Sequence, residues 1–269
     1  MSTDSPPDSP PTPSDNTPRF PRRTLLKSAA AIGAAGALGV TGVSRAADTT
    51  QPAEEEPAGK VTLGEGAVIV FQGDSITDAG RKKDQAEPNH NKALGKGYPA
   101  LAAGELLSDY ADLGLKVYNR GISGNKIPDL AERWDEDTIA LKPTVLSILI
   151  GINDLWHTVA FGRKYKATVA DYETGYRRLI ERTQEQVPGV QIVICEPFTL
   201  RDWPEFDPYR AVAAKLAQAF ELPFVPFHSA FHDAVTEDAP AKFWLWDGIH
   251  PQAAGHALML QTWRRAVGI

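Results

Sequence analysis

A single cysteine, Cys195, leaves no partner for an internal disulfide and too few thiolates for a structural zinc site. Basic charge is also scarce. Lys and Arg number 28 against 34 Asp and Glu, a net charge of −6 over 269 residues, so the composition supplies no cationic footprint for a nucleic-acid backbone. The histidines include no His-Glu-x-x-His pattern, and no metal site is expected. Internal repeats at solenoid periods are absent, as is an uninterrupted strongly apolar run of the ~20 residues a membrane span needs. What is present is 42% hydrophobic and 23% charged residues, which suits a globular domain and excludes full-length disorder or a collagen-like chain.

The first 46 residues differ in composition from the rest. Seven prolines within residues 1–21 are followed by Arg22-Arg23-Thr24-Leu25-Leu26-Lys27 and an Ala/Gly-rich apolar stretch from Ala29 to Val43. This reads as a twin-arginine export signal, with Ser44-Arg45-Ala46 providing small residues for cleavage after Ala46, the alternative being an uncleaved anchor. The expectation is an exported protein, periplasmic or extracellular, without stable membrane insertion once the signal is removed. Residues 47–64, with Pro52, Pro57 and Glu54-Glu55-Glu56, read as a solvated linker, and residues 65–269 as one domain. Beyond Ala46 the net charge is −8.

From Ala67 onward, short β-branched apolar runs alternate with amphipathic stretches, the pattern of parallel strands joined by crossover helices. Strands are expected at Ala67–Phe71, Lys116–Asn119, Thr144–Ile150, Val190–Cys195 and Pro223–Phe227. Helices are expected at Tyr98–Leu113, Ile127–Leu141, Thr168–Val187, Phe206–Phe220 and Gln252–Val267. Five such units imply an α/β fold, a five-stranded parallel sheet covered on both faces, with chemistry at the carboxyl ends of its strands.

Four polar blocks fall at those ends. Gly73-Asp74-Ser75-Ile76-Thr77 follows the first strand and can present a serine hydroxyl at the sheet edge. Asn119-Arg120-Gly121-Ile122-Ser123-Gly124-Asn125 follows the second and can aim a backbone N–H into the same crevice. Gly151-Ile152-Asn153-Asp154 follows the third; Asn153 can cap a helix or donate to an oxyanion. Asp247-Gly248-Ile249-His250-Pro251 precedes the last helix, where the carboxylate can hold one imidazole tautomer and leave the other nitrogen as a base. Taken alone, the Gly-Asp-Ser turn is as often structural as catalytic, an asparagine in the third block more often caps a helix, and an Asp-x-x-His is more often incidental. Their shared placement, in the order Ser, Asp, His, points to a triad on an α/β sheet.

These blocks resemble the SGNH, or GDSL-type, hydrolase superfamily, named for its Ser, Gly, Asn and His. The string from Gly73 to Arg81, together with Arg133-Trp134-Asp135-Glu136-Asp137 and Gly151-Ile152-Asn153-Asp154-Leu155-Trp156, is similar to bacterial acetylxylan esterases. The resemblance covers about Val68 to Gly268. It implies the flavodoxin-like three-layer α/β/α sandwich of that superfamily, with Ser75 as nucleophile, His250 as general base and Asp247 orienting it. The implied oxyanion hole comprises the N–H groups of Ser75 and Gly124 and the side-chain amide of Asn153, with Gly121 the competing glycine. No metal or organic cofactor is required.

The expected activity is hydrolysis of small acyl esters, acetyl foremost, on a carbohydrate such as xylan. Asp74, Arg81, Trp156 and Trp246 are candidate substrate contacts, because aromatic faces near a site can stack on sugars and an arginine can steady a polar ligand. The Asn89-His90-Asn91 loop could reach the crevice mouth. His90, His157, His228, His232 and His256 are read as surface or supporting residues. Alternatives are a GDSL-type lipase, lysophospholipase or thioesterase, and a non-catalytic carbohydrate-binding relative. Assembly into a homo-oligomer is compatible with the resemblance, although one chain displays no interface.

Overall fold

The computed structural model describes residues 60–160, 162 and 164–269. The expected export signal, residues 1–46, and most of the expected linker lie outside the described residues. In chain order the domain contains β1 (Val68–Gly73), α1 (Ser75–Asp78), α2 (Asn91–Leu94), α3 (Tyr98–Asp109), β2 (Lys116–Asn119), α4 (Ile127–Asp137), β3 (Val145–Leu149) and α5 (Ile152–Val159). It continues with α6 (Val169–Gln186), β4 (Gln191–Cys195), α7 (Asp207–Ala219), β5 (Phe224–Val225), α8 (Phe227–Ala234), α9 (Ala241–Trp244) and α10 (Ala253–Val267). The strands form one parallel sheet in the order β2-β1-β3-β4-β5. Strand order reverses between β1 and β3, so the loops leaving these strands diverge and open a crevice at their carboxyl ends.

The central strands bury both faces. Every residue of β3 is buried, with Val145 in register with Ile69 on one side and Gln191 on the other. Helices α3, α8 and α10 pack together, as do α4, α6 and α7. Two buried indoles satisfy their N–H groups inside the core: Trp263 Nε1 donates to Ser147 Oγ at 3.0 Å, and Trp134 Nε1 to Thr183 Oγ1 at 3.0 Å. Cys195 is buried on β4, where desolvation pushes its thiol up to about 12 and keeps it unreactive.

Four sequence expectations are corrected. The fifth strand is only Phe224–Val225, because Pro226 lacks an N–H for the ladder and Phe227 already begins α8. The helices expected to reach Leu113 and Leu141 end at Asp109 and Asp137 and continue as separate 3-10 turns. Residues 60–64 are not solvated linker: Val61 is buried and its N–H donates to Val267 O, while Thr62 exchanges two hydrogen bonds with the Gln191 side chain. Finally, Asn89 does not reach the crevice. Its side chain accepts from Val117 N–H and donates to Leu115 O, which pairs the exposed edge of β2.

Candidate active site

Ser75 occupies the first position of α1, immediately after β1. Its N–H therefore lacks a helical acceptor and stays available for a ligand. Its Oγ lies 2.9 Å from His250 Nε2, and His250 Nδ1 lies 2.9 Å from Asp247 Oδ2. The other Asp247 oxygen accepts the backbone N–H groups of His250 at 2.8 Å and Ile249 at 2.9 Å. An ionised carboxylate can only accept, so it fixes the proton on Nδ1 and leaves Nε2 free to take one from Ser75. Partial burial alone would raise the Asp247 carboxyl. The two backbone donors and the imidazole more than offset this and hold it below the usual carboxylate range.

The loops carrying the expected oxyanion donors are tied to this centre. Ile122 N–H donates to Gly73 O at 3.1 Å, and Asn153 Nδ2 to Asn125 O at 3.1 Å. Gly121 and Gly124 are now distinguishable. The Gly121 N–H is already spent on Asn119 Oδ1 at 2.9 Å, and a Cβ there would come within 2.3 Å of Asp78 N. Gly121 is thus a close-packing glycine. Gly124 adopts φ +84°, the left-handed region, and its N–H has no partner among the described residues. It remains the available backbone donor, beside Ser75 and Asn153.

Arg133 braces the same loops from behind. Its guanidinium donates to Asn125 Oδ1 at 2.7 Å, Arg120 O at 2.8 Å and Gly73 O at 3.3 Å, and pairs with Asp137. Asp78 accepts both the N–H and the hydroxyl of Ser123.

Two candidate substrate contacts are reassigned. Arg81 is 8% exposed and gives its Nε–H to Gly121 O at 2.7 Å, so it supports the second loop. Asp74 is 1% exposed and caps α1 by accepting Ile76 N–H at 3.0 Å. The tryptophans are placed otherwise. Trp246 is 58% exposed and lies against His250, ring centroids 5.6 Å apart and planes 20° from parallel, and Trp156 lies 6.3 Å from the same imidazole.

Sequence reading names nothing after β4, yet that exit supplies Arg201. Its Nε donates to Asp247 O at 2.8 Å, an Nη lies 3.5 Å from Asp247 Oδ2, and its guanidinium sits 4.9 Å from both the Trp156 and Trp203 rings. Thr199 Oγ1 and Leu200 N–H both donate to Gly248 O, completing the brace behind the Asp247 turn. The only available signal was positional, since the sheet rule directs attention to every strand's carboxyl end.

Asp154 is the buried anomaly of the third block. One oxygen accepts Ile127 N–H at 3.0 Å, and the other is enclosed without a partner. Desolvation raises its carboxyl to about 7. Because the folded state then holds a proton that the unfolded chain releases, this group costs stability as pH rises from the ordinary carboxylate range toward about 7, at up to about 1.4 kcal/mol per pH unit. Asp154→Asn removes that titration. In denaturant melts the stability of this variant relative to the unsubstituted protein should climb across that interval, and a difference independent of pH would contradict the assignment.

Ser75, Ile76, Ala79, Ser123, Trp246, His250, Pro251 and His256 line a cavity of about 340 Å³. An apolar cavity of about 500 Å³ between α4 and α6 shares none of these residues. No cluster able to hold a metal ion occurs among the described residues, and no described helix is long and apolar enough to cross a membrane. The arrangement comprises a hydroxyl, a base with a fixed tautomer, and spare N–H donors beside a small cavity, which are the parts of an acyl-transfer site.

Comparison with known proteins agrees. Residues 71–258 match the model of the GDSL-like lipase/acylhydrolase family. The acetylxylan esterase of Geobacillus stearothermophilus is 36% identical over 214 residues, spanning 77% of this chain and 96% of that one. Its crystal structure aligns with a TM-score of 0.69 at 35% identity over those same shares of the two chains. Structures of its catalytic mutants replace a serine, an aspartate or a histidine by alanine. A GDSL-like protein of Parabacteroides merdae aligns with a TM-score of 0.75 at 48% identity, covering 78% of this chain and 99% of that one. The chain therefore belongs to the GDSL-like lipase/acylhydrolase family and is a carboxylic ester hydrolase.

Proposed function

We propose that the protein hydrolyses acetyl esters on carbohydrates through an acyl-Ser75 intermediate. The observation that carries this reading is the unbroken chain Ser75 Oγ, His250 Nε2, His250 Nδ1, Asp247 Oδ2, with 2.9 Å at each hydrogen bond. His250 takes the Ser75 proton as Oγ attacks the ester carbonyl, and the negative charge passes to the carbonyl oxygen. The N–H groups of Ser75 and Gly124 and the Asn153 amide receive it; one such donor is worth ~3–4 kcal/mol of barrier in comparable sites. His250 then protonates the departing alcohol, and water repeats the sequence on the acyl-enzyme.

The walls of the site support this substrate class. Ala79 and Ile76 bound a space that suits a short acyl group, and the exposed Trp246 face beside His250 is a platform for the apolar face of a sugar. The similarity to an acetylxylan esterase supports the same substrate class. A lipid ester would need a longer apolar groove continuous with Ser75, whereas the 500 Å³ apolar cavity lies apart from the triad. Export by the twin-arginine route belongs to the same proposal, since an acetylated polysaccharide is met outside the cytoplasm; cell fractionation with and without Arg22→Lys/Arg23→Lys checks it.

The decisive assay is acetate release from acetylated xylan, pectin, sialic acid and peptidoglycan, set beside hydrolysis of acetyl and decanoyl nitrophenyl esters. The reading predicts acetate release from at least one carbohydrate and a rate that falls steeply with acyl length. Efficient decanoate turnover without acetate release from any carbohydrate would replace it with a lipase.

A further inference from the structure

His256 stands on the first turn of α10 and lines the same cavity as Ser75 and His250. The Tyr98 N–H, at the start of α3 where helical acceptors are missing, donates to His256 Nδ1 at 3.2 Å. That bond makes Nδ1 an acceptor, so the ring proton resides on Nε2. The ring is also packed closely against the backbone before α3. A Cβ on Gly97 would lie 2.9 Å from its Cε1 and 3.2 Å from its Nδ1, so only glycine lets the backbone sit this close to the imidazole. Burial pushes its pKa down to about 4, which keeps the ring neutral across the working range of an imidazole base. The Nε2–H finds no acceptor among the described residues, yet Nε2 is not sealed from solvent.

A donor in the cavity that holds Ser75 and His250 can exchange water for a substrate acceptor, and the ester limits the choices. The carbonyl oxygen is claimed by Ser75, Gly124 and Asn153, the bridging oxygen by His250, and an acetyl methyl offers nothing. The remaining acceptors belong to the alcohol half.

We propose that His256 is a specificity-determining residue whose Nε2–H donates to a hydroxyl next to the esterified one, so that the site selects monoacetates of vicinal diols. This rests on the acetylesterase reading above and deepens it, because a sugar ring with one acetylated and one free neighbouring hydroxyl is such a diol. A site built to hydrogen-bond a substrate hydroxyl discriminates against the analogue lacking it.

The test compares ethylene glycol monoacetate with propyl acetate, which replaces the hydroxyl by a methyl, in the full-length protein and in His256→Leu and His256→Gln. The unsubstituted protein should prefer the glycol ester by about tenfold in kcat/KM, with the difference mainly in KM. His256→Leu should bring the ratio to about one, the glycol ester losing more than propyl acetate, and His256→Gln, which can both accept from Tyr98 and donate, should restore part of it. Should the leucine variant fail to fold, the glutamine variant and His256→Asn carry the comparison. An unchanged ratio in a folded variant, or an equal loss on both esters, would overturn the proposal. If acetylated sugars are refused while both simple acetates are hydrolysed, the carbohydrate reading fails, and the diol ratio still decides the role of His256.

Discussion

Replacement of Ser75 by alanine should lower kcat for acetate esters by about a millionfold, as removal of a triad nucleophile does elsewhere, and leave only the slow attack by water that the remaining donors can assist. Fold stability should barely change. Ser75 begins the short helix α1, whose cap comes from Asp74, and its hydroxyl bonds only to the part-exposed His250. Loss of one part-exposed hydrogen bond costs about 1 kcal/mol or less. The check is kcat on para-nitrophenyl acetate beside a thermal melt. Activity within tenfold of the unsubstituted protein would remove Ser75 as nucleophile, whereas a large drop in melting temperature would show that it matters to the fold instead.

Asp247→Asn should cost about ten-thousandfold in kcat with the backbone intact, and the reason is a tautomer. The asparagine carbonyl must keep facing the N–H groups of Ile249 and His250, because turning the amide would set donors against donors. The NH₂ group then faces His250 Nδ1, which becomes an acceptor and drives the ring proton to Nε2. That nitrogen now donates toward Ser75 and cannot take its proton. Arg201 sharpens the effect, since its Nη lies 3.5 Å from the same Asp247 oxygen and would oppose the new NH₂. Activity and circular dichroism of the variant check this together. A loss under tenfold would mean that packing against Trp246 and Trp156, not the carboxylate, sets the imidazole.

Local chemistry accounts for what the sequence made legible. The strands β1 to β4 are short apolar runs bounded by breakers such as Pro143 and Pro188-Gly189, and their pattern places the sheet, its layers and the four polar blocks at the correct ends. Ser75, Asp247 and His250 were readable because each sits next to an element boundary. Short elements were not: α1, α5 and α8 complete at most about two turns, too few for a 3.6-residue periodicity to register. Bracing was equally hidden. Arg133 and Arg201 act on carbonyls of distant segments, and in a sequence each is indistinguishable from a solvated surface charge. The choice between Gly121 and Gly124 required knowing that Asn119 folds back onto the Gly121 N–H. His256 read as a bystander because its significance arises from Tyr98, on a helix remote in sequence.

The most direct test of an activated Ser75 is reaction of the full-length protein with a fluorophosphonate, followed by peptide mass mapping of the adduct. The account predicts one adduct, on the peptide carrying Ser75, formed together with loss of esterase activity and sharply slowed in Asp247→Asn. An adduct on another residue, or inactivation-free ester hydrolysis with Ser75 unlabelled, would contradict it.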